Sequence, residues 1–155
     1  MENCLFCKII AGEIPSWKVW ENDAFIAILT PFPNTSGFTV LLTKNHYDSD
    51  VLGLDEKLYK DMLMSAKEVA SLLNNSLSCK RTGLIIEGMG INHAHVKLIP
   101  MHGIPDGPWK QINSNIHTFS EKYKGFLSSH DGPPAKKEDL DAIADRIRTY
   151  SITKK

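Results

Sequence analysis

The chain has 155 residues, with 18 Lys and Arg against 18 Asp and Glu, so its formal net charge is zero. Hydrophobic residues make up 42% and aromatics 8%, the composition of one ordinary globular domain. Charge balance excludes a nucleic-acid binder that works by bulk electrostatics, and no apolar stretch approaches the roughly 18 residues of a membrane helix.

The start, Met1-Glu2-Asn3-Cys4, lacks a basic and apolar run, so no secretory signal is expected. Three cysteines are too few and odd in number for a disulfide framework. Reduced thiols in a cytoplasmic protein are the better reading. Residues 4–11 read as one or two helical turns closed by Gly12. Inside them lies a C-x2-C pair, Cys4 and Cys7, which suits a redox couple, half a metal site, or chance. A redox couple would want a preceding strand, and none is expected before residue 4.

Residues 17–20 and 24–29 are short apolar runs around Glu21-Asn22-Asp23, a hairpin signal, because Asn and Asp tolerate tight turns. Residues 31–37 carry Pro31, Pro33 and Gly37 and read as loop. Residues 38–43 read as a strand. Leu58, Met62, Ala66, Val69 and Leu73 recur at helical spacing, which predicts a helix over 55–74 with Asp55 as N-cap. Residues 84–87 and 94–99 read as strands around Gly88-Met89-Gly90. Ile112, Ile116, Phe119 and Tyr123 hint at a helix, Pro133-Pro134 interrupts, and Leu140, Ile143, Ala144 and Ile147 mark a final amphipathic helix. Strands grouped around one long helix suggest an α+β fold with a mostly antiparallel sheet.

The chemistry concentrates in Asn92-His93-Ala94-His95-Val96-Lys97. In a strand, alternate side chains share a face, so His93, His95 and Lys97 would form a row about 13 Å long. Such a row suits a phosphoryl group, with Lys as charge and an imidazole nitrogen as nucleophile. A His-x-His pair equally suits metal ligation together with Cys4 and Cys7.

Residues 4–15 (CLFCKIIAGEIP), 19–23 (VWEND), 37–46 (GFTVLLTKNH) and His93-Ala94-His95 together resemble the histidine triad (HIT) family over about residues 3–102. The resemblance implies a five-stranded antiparallel sheet with one long helix, two subunits joined as a homodimer, and nucleotide hydrolase or nucleotidyl transferase chemistry. The middle histidine, here His95, would attack the α-phosphate of a purine nucleotide or nucleoside phosphate derivative, with a backbone carbonyl holding its other ring nitrogen. Lys97 would stabilise charge on the phosphate. Some members carry a structural zinc, whose ligands would be Cys4, Cys7, His46 and His93. The base pocket would include Phe6, Ile9, Ile28 and Leu29. Residues 103–155 resemble the longer tail of a bacterial-type subgroup, expected as a helical extension of one domain.

Three positions depart from the family pattern. Lys97 stands for the third histidine. The loop before His93 is short: Glu87 stands where an Asn is expected, and the Gln or Ser that touches the leaving group is missing, with Asn92 as its substitute. Thr30 stands where an acid usually binds ribose. His102, Trp109 and the pair His130-Asp131 are expected mainly as surface residues, with an edge of the active site as the alternative, and His117 and Cys79 are expected to have no role in the chemistry.

Overall fold

The computed structural model describes residues 4–129 and 132–143. The chain divides into two compact units, Met1–Pro108 and Trp109–Lys155. The first begins with a short helix, α1 (Leu5–Ile10), and contains five strands: β1 (Trp17–Glu21), β2 (Phe25–Leu29), β3 (Thr39–Thr43), β4 (Thr82–Ile85) and β5 (His95–Pro100). The long helix α2 (Glu56–Ser76) lies between β3 and β4 in sequence. All pairings are antiparallel, in the order β1-β2-β3-β5-β4. This is the α+β architecture expected from the sequence.

The hairpin between β1 and β2 closes on Asn22, whose side-chain oxygen accepts from the amides of Ala24 (3.0 Å) and Phe25 (2.8 Å). Helix α2 starts at its Asp55 cap, where Oδ1 accepts from Leu58 N at 3.0 Å. It buries Met62, Ala66, Val69 and Leu73 against Phe25, Ala27, Leu41, Val96 and Leu98. Those strand residues alternate with Ile26, Ile28, Val40 and Leu42, which form a second cluster with Phe6 of α1 on the other face. One sheet therefore separates two layers, with α2 on one side and α1 on the other.

Some boundaries differ from the sequence reading. Strand β4 begins and ends two residues earlier than 84–87. The chain leaves the ladder after Ile85 because residue 88 lies against the backbone of residues 49–50. A Cβ at Gly88 would fall 2.8 Å from Ser49 O, and its φ is +71°. Strand β5 starts at His95 and runs through Pro100, one residue later at each end than 94–99. Gly37 is a second required glycine, at φ +79°, with Leu77 Cδ1 only 2.2 Å from an added Cβ.

In the second unit, no helix forms through Ile112, Ile116, Phe119 and Tyr123. All four side chains are exposed, so no apolar face is buried to stabilise one. The intervening Asn113, Ser114, Asn115, Thr118 and Ser120 are weak helix formers, and Ser114 Oγ instead binds the amide of Ile116 at 3.0 Å. Residues 137–143 are helical, with Leu140 and Ile143 exposed. Ala144, Ile147, His130 and Asp131 lie outside the described residues. Among the described residues, no helix is long and apolar enough to cross a membrane.

Candidate active site and metal cluster

Cys4 caps α1, its Sγ accepting from Cys7 N at 3.4 Å, and this turn sets the two sulfurs on one side of the helix. His46 follows β3 by three residues. His93 arrives from the segment before β5. Ligand atoms of Cys4, Cys7, His46 and His93 all lie within 4.8 Å of one another. Cys4 Sγ is 3.4 Å and Cys7 Sγ 3.5 Å from His93 Nδ1, and Cys7 Sγ is 3.3 Å from His46 Nδ1. Bonds of about 2.3 Å to sulfur and 2.0–2.1 Å to nitrogen give tetrahedral S···N edges of roughly 3.5 Å. The four residues thus form a set able to hold a metal ion.

The hydrogen bonds of His93 agree with that use. Its Nε2 lies 2.7 Å from the carbonyl of Thr43. A carbonyl only accepts, so Nε2 carries the hydrogen and Nδ1 keeps its lone pair toward the sulfurs, as a metal-binding imidazole requires. Burial, first, lowers the proton affinity of His93, and the neighbouring His46 and His95 lower it further. Burial also raises Cys7, with Cys4 adding to the effect.

His95 sits behind this cluster, 4% exposed. Its Nδ1 donates to the carbonyl of His93 at 2.7 Å. Nε2 is therefore the ring nitrogen with an available lone pair. Phe6 meets the ring of His95 edge-on at 5.4 Å and that of His93 at 5.8 Å, holding both imidazoles between α1 and the sheet. Burial is the main influence lowering the pKa of His95, opposed by the bond to His93; Lys97 lowers it and Glu87 raises it.

His93, His95 and Lys97 share the α1 face as expected, but His93 stands ahead of the strand rather than in it. Residues 91–93 turn tightly, with His93 N bonded to Ile91 O at 2.9 Å, and Asn92 Oδ1 accepts from Ser49 N at 2.9 Å. His93 therefore precedes the strand and points to the cysteines. His95 and Lys97 pair with Leu42 and Val40 in the sheet and so share the α1 face. Lys97 Nζ donates to Glu87 Oε2, and the Glu87 side chain is only 7% exposed. Zero net charge of the chain thus recurs locally: the one lysine of the row faces a buried carboxylate.

Phe6 and Ile28 pack in one buried cluster, with Ile9 half-buried against it. Leu29 is the next residue after Ile28 in β2, so strand alternation turns it to the opposite face. Thr30 is half-buried just beyond β2, and its hydroxyl accepts from Phe32 N at 3.2 Å. His102 donates from Nε2 to Ser36 O at 2.9 Å. Trp109 and His117 are exposed. Cys79 is buried, its Sγ 3.4 Å from Asn74 Oδ1. Two contacts of these residues escaped the sequence: the Thr43 carbonyl that holds His93 Nε2, and Glu87 as partner of Lys97. A backbone acceptor leaves no residue-type signal, and the pairing of Glu87 depends on the β4–β5 register.

A HIT-domain model matches residues 11–107. An HIT-like protein of Borreliella burgdorferi is 35% identical over 131 residues, covering 80% of this chain and 93% of that one. A HIT family member of known structure from Bacillus subtilis is similar at TM-score 0.63 and 27% identity, over 95% of this chain and 96% of that one. A HIT family hydrolase from Clostridium thermocellum gives TM-score 0.58 at 28% identity, over 70% and 97% of the two chains. Sequence match, strand order and the paired histidines agree, and the chain belongs to the HIT family.

Proposed function

We propose that this protein is a nucleotide hydrolase or nucleotidyl transferase that works through an intermediate on His95. The observation that supports this reading is the bond from His95 Nδ1 to the His93 carbonyl at 2.7 Å, which leaves on Nε2 the lone pair that a nucleophile needs. In the first step Nε2 forms a bond to the α-phosphorus of a nucleoside phosphoramidate or dinucleoside polyphosphate. The bond from phosphorus to the leaving group breaks, and the leaving group keeps the electron pair. In the second step water, or another acceptor, attacks phosphorus. The N–P bond breaks, its electrons return to Nε2, and a nucleoside monophosphate leaves with the oxygen of water, whose proton passes to solvent.

Lys97 lies on the same sheet face as His95 and would place positive charge near the phosphate. Phe6, Ile9 and Ile28 would meet the base, with Thr30 near the ribose and Asn92 near the leaving group, whereas Leu29, on the other sheet face, would take no part. Cys4, Cys7, His46 and His93 would hold a structural zinc, which would cross-link α1, the segment after β3 and the segment before β5. The ligands expected are purine nucleotides or related phosphate derivatives. The protein would act as a cytoplasmic homodimer, without nucleic acid or membrane as partner.

Incubation with adenosine 5′-phosphoramidate and with diadenosine tetraphosphate, followed by mass analysis of the His95 peptide, tests the reading. The expected result is a shift of one nucleoside monophosphate that His95→Ala removes. Turnover that survives His95→Ala would sink it. A second reading, a nucleotide- or protein-binding module without turnover, is favoured by the ion pair between Lys97 and Glu87. Saturable nucleotide binding with no adduct would select it.

A further inference from the structure

A carboxylate beside a phosphate-binding nucleophile is an unexpected neighbour, because it repels the anion that the site must hold. Glu87 is such a carboxylate. Glu87 lies two residues past the end of β4, and its ion pair with Lys97 holds it at the face on which Lys97 and His95 stand two residues apart in β5. The Glu87 side chain is 7% exposed and ion-paired to Lys97.

The carboxylate is also fixed in place. The next residue, Gly88, has φ +71° and lies so close to Ser49 O that a Cβ would stand 2.8 Å from it. Asn92 grips the amide of the same Ser49. The two ends of the turn before His93 are thereby fastened to one backbone segment.

The pair has a chemical consequence. Lys97 and Glu87 together are neutral, so an incoming phosphate meets no net positive charge from them. A carboxylate only accepts hydrogen bonds, as does an ionised phosphate oxygen, whereas an amine or amide nitrogen donates. Each further phosphate on a leaving group adds charge of the same sign as Glu87.

We propose that Glu87 is a specificity-determining residue, selecting substrates whose leaving group on the α-phosphate is an uncharged or cationic amine over those whose leaving group is a phosphate chain. This rests on the nucleotidyl-transfer reading of His95. In the favoured step the N–P bond to His95 forms and the P–N bond to the amine breaks. The amine nitrogen keeps that electron pair and takes a proton from solvent.

The test compares kcat/KM for adenosine 5′-phosphoramidate and diadenosine tetraphosphate in the wild type and in Glu87→Gln, a change of charge at nearly constant shape. Calorimetric Kd values for AMP, ADP and ATP accompany it. The wild type should prefer the phosphoramidate and bind nucleotides more weakly as phosphates are added. Glu87→Gln should move the kcat/KM ratio about tenfold or more toward the polyphosphate, the effect of one nearby charge in a partly screened site. Equal effects on both substrates, or a wild type that binds ATP at least as tightly as AMP, would overturn the proposal. Should the variant not fold, the wild-type Kd series decides alone. A wild type that binds none of the nucleotides overturns the nucleotidyl reading together with the proposal, a result distinct from an unchanged ratio.

Discussion

The two faces of the sheet are built from alternate residues of the same strands, yet they are covered in different ways. On one face, α2 spans 21 residues and lays Met62, Ala66, Val69 and Leu73 on Phe25, Ala27, Leu41, Val96 and Leu98. On the other, α1 has six residues and covers two imidazoles as well as Ile26, Ile28, Val40 and Leu42. A helix that short has too few turns to persist without tertiary support. Its support is Phe6 in the core and the cysteines at its start, which face His46 and His93. The α2 face is held mainly by apolar area, whereas the α1 face adds the contacts among Cys4, Cys7, His46 and His93.

The largest expected effect lies on the α1 face and leaves the other untouched. His95→Ala should lower turnover by about a thousandfold or more, as loss of a covalent nucleophile does. Its thermal unfolding should stay within a few degrees of the wild type. A melting temperature that falls as steeply as the activity would show that His95 is mainly a packing residue. The opposite change, Leu41→Ala under α2, should cost about 2–5 kcal/mol in denaturant unfolding, because Leu41 is fully buried and its removal leaves a cavity. The adduct on His95 should still form in whatever protein remains folded.

A chelator separates the faces more finely. An ion present at 100–1,000 times its Kd contributes about 3–4 kcal/mol. Chelation, or Cys4→Ser, should remove that contribution and speed hydrogen exchange in α1 while the amides of α2 keep their protection. Uniform loss of protection across both helices would mean that the cluster staples the whole unit. A metal-free native protein with unchanged exchange in α1 would remove the staple altogether.

The same contrast explains what could be read before folding. Helix α2 and its cap were legible because Leu58, Met62, Ala66, Val69 and Leu73 repeat at 3.6-residue spacing and Asp55 stands one residue ahead. The β1–β2 hairpin was legible from Asn22, whose side chain makes the turn. The metal set could be assigned only through resemblance, since Cys4, Cys7, His46 and His93 are scattered over 90 positions of chain, counted inclusively from 4 to 93. The row of His93, His95 and Lys97 is legible as one face, but the strand begins only at His95, because residues 91–93 turn tightly ahead of it. Ile112, Ile116 and Phe119 had helical spacing without a surface to bury, and spacing without burial does not make a helix.

The smallest expected effect concerns how His93 is oriented. Its Nε2 has two oxygen neighbours from one residue, the Thr43 carbonyl at 2.7 Å and the Thr43 hydroxyl at 3.2 Å. The hydroxyl also donates to Ala94 O at 3.4 Å. The shorter contact belongs to the backbone, which Thr43→Val leaves in place. Valine also keeps the branched shape that β3 packs around. Removal of an oriented second neighbour of a metal-binding histidine typically costs 10–100-fold in metal affinity. If the carbonyl alone holds the ring, Thr43→Val should change zinc affinity by less than about tenfold, measured by competition with a chromogenic chelator. A loss within the full range would transfer the orienting role to the hydroxyl, and with it the fixed position of the His93 carbonyl that His95 needs.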